Sequence, residues 1–287
     1  MFIKAIPLDI SFSEEALTYY IKEDQKKYIN IGSVVSIPIK NKISHGIVSG
    51  IFKTSDIGTQ EIKSIVEVLC SFSLLNKYQI EIIFDLSAKY FLPIHKVLNL
   101  FLPKFILNRL EKNSFQDILN INNETYLQKT KNKPVFLHNI SIKSIEEVLK
   151  ENIGNLEDTV IIFPDDFSID SFLAKNKDFE QGATIYKNSY TYSKKYKTFL
   201  DILSKKNNIL FGTRKVLQYN LGAYKKLVYI EDSMVKYNYN QFEKYSNLDV
   251  LKSMINQNFF EVYFISSVPS IEFFYSSKVN NYTYKTV

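Results

Sequence analysis

The chain has 287 residues and a formal net charge of +6, and 45% of its residues are hydrophobic. This length accommodates about two domains of ordinary size. The sequence excludes a transmembrane helix, because it has no run of about 18 apolar residues, and its single cysteine, Cys70, excludes an internal disulfide and a cysteine-rich zinc site.

The positive charge permits nucleic-acid binding, but it is spread along the chain. Residues 1–103 carry 11 lysines against 10 acidic residues, and residues 134–287 carry 19 basic against 17 acidic residues. Only two basic residues are arginines, so phosphate contacts would come mostly from lysines. Charge alone leaves two explanations open, a DNA-binding surface and an ordinary solvated surface.

The N-terminal third is predicted to form a small β-barrel or curled sheet. Its short apolar stretches alternate with turn residues, which is typical of such sheets. These stretches span residues 2–10, 12–21, 30–39, 44–52 and 62–69. Cys70 follows the last stretch, and we expect it to be a small buried hydrophobic residue.

The hydrophobic period then changes to that of helices. Residues 76–88 are predicted to form a helix capped by Asn76, and residues 94–101 form a second helix that ends before Pro103. Residues 104–133 are polar with one helical patch, which predicts a linker or the remnant of a winged-helix domain. The first domain is therefore predicted to span residues 1–103.

From residue 134 to residue 287, apolar strands alternate with helices, which predicts a parallel sheet covered on both faces. Three of these strands end in short polar tips near residues 212, 231 and 266, as in a RecA-like helicase lobe. Residues 186–196 interleave tyrosines with lysines, which suits contact with single strands, but the favoured interpretation is a flexible polar connection. The predicted fold class is α/β overall, with a small β-barrel-like (OB-like) domain and two helices followed by a RecA-like parallel α/β lobe.

The N-terminal segments, in their order, resemble the first domain of the bacterial primosome helicase PriA, also called primosomal protein N-prime. The segments that carry the resemblance are residues 5–8, 17–19, 32–38, 46–48, 62–69 and 88–103. In that family the domain binds the free 3′ end of a leading strand at a stalled fork, with the terminal nucleotide in a small pocket.

By position, the resemblance assigns this pocket to Leu17, Thr18, Lys40 and Lys63. An apolar side chain can stack on the last base, a hydroxyl can bond to a base edge, and a lysine can hold a phosphate. Thr18 replaces an aspartate of many members, and Lys40 stands near a family glycine that gives the backbone close access. The alternative is that these are ordinary strand and surface residues.

Residues 134–287 resemble the first helicase lobe of the same family. Gly212, Thr213 and Arg214 match its Gly-Thr-Arg motif, which touches the DNA backbone. No second lobe and no cysteine-rich zinc insertion follow within this sequence. Without the arginine of a second lobe, which contributes about 10³–10⁵ in phosphoryl transfer, we expect no autonomous ATP hydrolysis.

The nucleotide site implied by the resemblance is degenerate. Lys143 and Ser144 stand where a phosphate loop has Lys-Thr, but the preceding loop contains no glycine. Backbone N–H groups need glycine-like torsions to wrap a phosphate. Glu231 and Asp232 replace the family's Asp-Glu pair in swapped order.

The resemblance therefore implies a cytoplasmic, catalytically inactive DNA-binding protein of replication restart. Its partners would be forked or single-stranded 3′-ended DNA, single-strand-binding protein and other primosome proteins, with no membrane partner, no cofactor and no metal. The alternatives are a scaffold of the replication machinery that has lost DNA binding and, with less support, a residual nucleotide binder that uses Lys143 and Asp232.

Overall fold

The computed structural model describes residues 1–8, 16–54, 62–70, 72–111, 130, 132–141, 143–230, 247–279 and 281–287. They fall into two compact units. Unit 1 lies within residues 1–124 and also contains residues 218–220, whereas unit 2 lies within residues 125–217 and 221–287. Of the predicted linker over 104–133, residues 112–129 and 131 lie outside the described residues.

Unit 1 is built on a five-stranded antiparallel sheet in the order β2-β1-β4-β3-β5. The strands are β1 (Phe2–Pro7), β2 (Leu17–Tyr20), β3 (Val34–Ile39), β4 (Lys42–Phe52) and β5 (Glu67–Cys70). A short 3-10 helix, Glu23–Tyr28, follows β2. The fifth strand is shorter than predicted, because only Ser64 of the preceding residues makes an isolated bridge, to Tyr20.

The residues before β5 join the two edges of this sheet. On one side, Tyr20 N donates to Lys63 O at 2.9 Å and Ile65 N donates to Tyr20 O at 3.1 Å. On the other side, Val66 N donates to Ser36 O at 2.8 Å. These bonds satisfy edge groups that would otherwise face solvent, and they curl the sheet into a small barrel.

The barrel core consists of the inward-facing residues of its strands. Ile3, Ala5, Tyr19, Val35 and Val48 are among its buried members. Cys70 is also buried, as predicted, and its Sγ lies 3.2 Å from Phe72 O. Burial raises the pKa of the Cys70 thiol well above its usual range, so the thiol stays protonated.

Three helices follow the barrel: α1 (Lys77–Tyr90), α2 (Ile94–Phe101) and α3 (Lys104–Glu111). Asn76 caps α1 as predicted, because its side chain accepts from Gln79 N at 3.1 Å while Gln79 Oε1 accepts from Asn76 N at 3.0 Å. Phe91 ends α1 with a left-handed φ of 51°. Helix α3 occupies the start of the predicted linker.

Unit 2 contains a seven-stranded sheet in the order β12-β6-β11-β10-β7-β9-β8, and its strand pairs are parallel. The strands are β6 (Val135–His138), β7 (Thr159–Phe163), β8 (Ala183–Ile185), β9 (Ile209–Thr213), β10 (Lys226–Ile230), β11 (Glu261–Ser266) and β12 (Thr283–Thr286). The helices are α4 (Ile145–Asn152), α5 (Asp166–Lys175), α6 (Asp178–Gly182), α7 (Tyr192–Leu203), α8 (Asn247–Asn256) and α9 (Ile271–Lys278).

Helices cover both faces of this sheet. Val228 and Ile230 belong to the core cluster that contains residues of α4 and α5. Tyr229 points the other way, and its ring lies 6.4 Å from that of Phe273 in α9. The predicted fold class is therefore confirmed: a small antiparallel, OB-like sheet with helices is followed by a parallel α/β sheet consistent with a RecA-like lobe.

The prediction of a flexible polar connection over residues 186–196 was wrong for residues 192–196, whereas residues 186–191 do connect β8 to α7. Helix α7 begins within this stretch at Tyr192, and the side chain of Thr191 accepts a hydrogen bond from Lys194 N at 3.4 Å. Tyr196, at the start of the second turn, is buried and anchors the helix. A threonine cap and one buried tyrosine outweigh the polar composition of the segment.

The tight turn before β3 gives a test of unit 1. Gly32 has a φ of +86°, and a Cβ added to it would lie 1.6 Å from Leu75 O. We expect Gly32→Ala to lower the free energy of unfolding by about 2–4 kcal/mol, because strain and overpacking add. Gly182→Ala is the control, since nothing lies within 4 Å of its added Cβ. Calorimetry that shows equal melting temperatures for both variants would contradict this account.

Candidate nucleic-acid interface

Leu17 and Thr18 lie next to each other on β2 but face opposite sides of the barrel wall. Leu17 packs partly buried against the barrel core. Thr18 is paired with the exposed Lys4 of β1, on the outer face. Successive side chains of a strand alternate between its two faces. A ligand on the outer face can therefore reach Thr18 directly, and it can reach Leu17 only at the rim where β2 begins.

Backbone hydrogen bonds hold Lys63 beside β2. Its carbonyl accepts from Tyr20 N, and the neighbouring Ser64 forms a β-bridge with Tyr20. The side chain of Lys63 is exposed. The structure thus brings Thr18 and Lys63 to one edge strand of the sheet, although they are 45 positions apart in the sequence.

Lys40 lies in the two-residue turn between β3 and β4, where Ile39 pairs with Lys42. It is exposed and adopts a φ of 51°, a left-handed conformation that favours glycine. A glycine, such as the one that the family has near this position, would adopt this φ without steric strain. The hydroxyl of Tyr19 lies 3.4 Å from Pro38 O, so the end of β3 approaches β2 across the barrel. Burial raises the pKa of Tyr19 to about 12, which keeps this hydroxyl a donor.

Gly212, Thr213 and Arg214 end β9 and begin a 3-10 turn in unit 2. A Cβ on Gly212 would lie 2.4 Å from Val216 Cγ2, so the close turn itself requires glycine. Thr213 is 1% exposed, and its hydroxyl has no hydrogen-bond partner among the described residues. The guanidinium of Arg214 lies 6.0 Å from the ring of Tyr229. Their predicted contact with the DNA backbone stays a prediction.

The loop that precedes α4 is closed by its own side chains. Asn139 is buried; its Oδ1 accepts from Lys143 N at 2.9 Å and its Nδ2 donates to Lys143 O at 2.8 Å. The ammonium of Lys143 lies 2.6 Å from the carboxylate of Glu151. Both the backbone and the side chain of Lys143 are therefore engaged within the chain.

The N-terminus of α4 is likewise occupied. Ser144 is the N-cap: its hydroxyl accepts from Glu147 N at 3.3 Å, and the Glu147 carboxylate accepts from Ser144 N at 2.9 Å. The hydrogen bond that the carboxylate accepts from Ser144 N, followed by the interaction with the Ser144 side chain, lowers the pKa of Glu147 below its usual value. A carboxylate thus lies where a helix N-terminus would otherwise attract a phosphate. Sequence reasoning missed Asn139, Glu147 and Glu151, although the Ser144-Glu147 spacing is that of a capping box.

Glu231 and Asp232 lie outside the described residues. Within the part of the chain that the structure describes, no three His, Cys, Asp or Glu side chains are grouped so that they could hold a metal ion. Among the same residues, no helix is long and apolar enough to cross a membrane.

Comparison with known proteins finds a family match within the N-terminal unit. Residues 5–103 match the family model of the PriA 3′ DNA-binding domain (3′BD). The match spans 99 of the 287 residues and covers the barrel with α1 and α2. The predicted resemblance to PriA is thereby confirmed for the N-terminal domain.

The comparisons with curated proteins and with solved structures give no information on the function of unit 2. No curated protein matches the chain. One similar solved structure is the C-terminal domain of the DEAD-box protein Dbp5, with 12% identity and a TM-score of 0.37, covering 54% of this chain and 89% of that one. A likeness this distant carries no conclusion about unit 2.

The left-handed turn residue gives a second test. We expect Lys40→Gly to keep or raise the free energy of unfolding, because glycine adopts this φ without a steric cost. Lys40→Val should lower it by about 1–2 kcal/mol, since a β-branched side chain clashes there. Lys42→Val is the matched control, because Lys42 is exposed and is not among the residues with positive φ. Urea unfolding in which both valine variants behave alike would contradict this reason for the family glycine.

Proposed function

We propose that this chain binds forked or single-stranded 3′-ended DNA through unit 1, acts in replication restart, and does not hydrolyse ATP. The observation that carries the DNA-binding part is the match of residues 5–103 to the PriA 3′ DNA-binding domain. The placement of Thr18 and Lys63 beside one edge strand supports it.

The chemistry of these two side chains suits the end of a DNA strand. The Thr18 hydroxyl can donate to or accept from a base or sugar edge, and the exposed Lys63 ammonium can hold the adjacent phosphate. Because Lys63 acts as a point charge, its contribution should depend on salt. In this proposal discrimination of the free end rests on Thr18, and general affinity rests on lysines.

Fluorescence anisotropy with three labelled DNAs tests this proposal. They are a fork with a free 3′ leading end, the same fork with that end phosphorylated, and plain duplex. We expect preference for the free end. Lys63→Ala should weaken binding to all forks and reduce the salt slope by about 1.

Two variants of Thr18 sharpen the test. Thr18→Ala should remove the preference for the free end, and Thr18→Asp, which restores the residue of many family members, should increase it. Equal, weak and salt-sensitive binding to all three DNAs would reject end recognition. No binding to any of them would favour the scaffold alternative.

The inactive-ATPase part of the proposal is supported by the loop before α4. Asn139 binds both backbone groups of Lys143, Glu151 pairs with its ammonium, and Glu147 caps the helix. A phosphate would have to displace these contacts and would meet the Glu147 carboxylate, a like charge. Each contact that has to be broken weakens nucleotide binding further.

Calorimetry with Mg-ATP tests this part separately. We expect no binding heat, and no phosphate release above the blank when forked DNA is present. Lys143→Ala should change neither result, because its ammonium serves Glu151. Micromolar binding that Lys143→Ala abolishes would instead establish a residual nucleotide site.

A further inference from the structure

Three neighbouring strands of unit 1 place a set of aromatic rings on the outer face of the barrel. Phe2 of β1 pairs with Tyr20 of β2 on one side and with Phe52 of β4 on the other. The adjacent residue of β1, Ile3, pairs with Tyr19 of β2 and with Ile51 of β4. Ile3 and Tyr19 are buried, and Ile51 packs partly buried against the barrel core. The aromatic face, defined as Phe2, Tyr20 and Phe52, therefore faces away from that core.

The rings of Phe2 and Tyr20 adjoin one another, and the rings of Tyr20 and Phe52 are accessible. The centroids of Phe2 and Tyr20 are 5.7 Å apart, with an interplanar angle of 67°. Tyr20 is 36% exposed and Phe52 is 44% exposed. A Cβ on Gly50 would lie 2.8 Å from the ring of Phe52, so this ring lies over bare backbone. Adjoining aromatic rings exposed on a sheet mark a binding surface more often than isolated ones do.

The charge beside the rings is positive. Lys4 Nζ lies 5.7 Å from the centre of the Phe52 ring. Lys22 and Lys53 are exposed and lie just beyond the ends of β2 and β4. None of the three strands contains an acidic residue. Glu23 and Asp24 follow Lys22 in the 3-10 helix, where Glu23 pairs with Lys26. Stacking rings flanked by lysines are the combination by which proteins hold single-stranded nucleic acid without reading its sequence.

The aromatic face continues into the predicted 3′-end site. Thr18 and Tyr20 are two residues apart on one side of β2, and Lys4 pairs with Thr18 while Phe2 pairs with Tyr20. The pairing of β1 with β4 shifts between Lys4 and Ala5, a bulge that re-aims side chains at this point. A strand whose end lies at Thr18 could therefore place its preceding bases along the aromatic face.

We propose that the aromatic face binds the nucleotides that precede the 3′ terminus of single-stranded DNA, by base stacking with phosphate contacts from Lys4. The inference rests on the proposed function for the position of the strand's end, but the stacking itself requires no free end. The occupant is single-stranded DNA, because rings beside Lys4 on three strands that contain no acidic residue suit bases and phosphates together.

The test measures affinity of the full chain for an oligothymidylate that carries a 3′ phosphate, by fluorescence anisotropy. Tyr20→Leu with Phe52→Leu keeps apolar bulk but removes the rings, and we expect about a tenfold loss of affinity per ring. Phe52→Tyr should retain binding. The matched control is Phe84→Leu, which removes a 41% exposed ring from α1 of the same unit.

DNA with abasic sites before the terminus makes the experiment decisive. Loss of the bases should weaken binding to the original chain but should have little further effect on the double leucine variant, because rings and bases act as one pair. Unchanged binding by the double variant, or a loss equal to that of Phe84→Leu, overturns the proposal. If both variants keep the original melting temperature, misfolding does not explain the result.

The outcomes also separate this inference from the proposed function. Stacking that survives 3′ phosphorylation, with no preference for the free end, upholds the aromatic face and rejects end recognition. Preference for the free end, together with unchanged affinity of the double leucine variant for the 3′-phosphorylated oligothymidylate, upholds end recognition and overturns the aromatic face. Binding of no DNA at all overturns both.

Discussion

The closure of the N-terminal sheet depends on one short stretch of backbone, residues 63–66. It makes hydrogen bonds to the edge strand β2 on one side and to β3 on the other, so it joins one edge of the five-stranded sheet to the β3–β5 end. Without it, β2 would be an exposed edge strand of four residues. Because β2 carries Thr18 and Tyr20, the closure also fixes the surface on which DNA binding is proposed.

The closed sheet has an inner face that forms the barrel core and an outer face that is accessible to solvent. Each strand alternates between the core and the outside, so Leu17 and Tyr19 stabilise the interior while Thr18 and Tyr20 are presented outward. The core holds the strands in register, and the register brings Phe2 between Tyr20 and Phe52. Packing of the core therefore determines which residues are neighbours on the outer surface.

In unit 2 the loop before α4 is held by side chains of its own segment and of α4. A glycine-rich loop leaves N–H groups free for a phosphate. Here Asn139 and Glu147 take up such groups themselves, and Glu151 neutralises Lys143. Internal hydrogen bonds therefore stabilise the conformation of this loop.

The sequence by itself determined the features that depend on neighbours in the chain. The change from alternating to helical hydrophobicity located the barrel, the helices and the parallel sheet, and Asn76 and Pro103 marked helix ends, since caps and prolines act within one turn. The prediction from sequence failed at residues 192–196, where α7 begins. The buried Tyr196 anchors this helix, and no local pattern reveals its burial. Only the tertiary structure decided which distant residues meet, namely Lys63 with β2 and Phe2 with Phe52. Strand register decides these contacts, and register is set by the packing of the whole sheet.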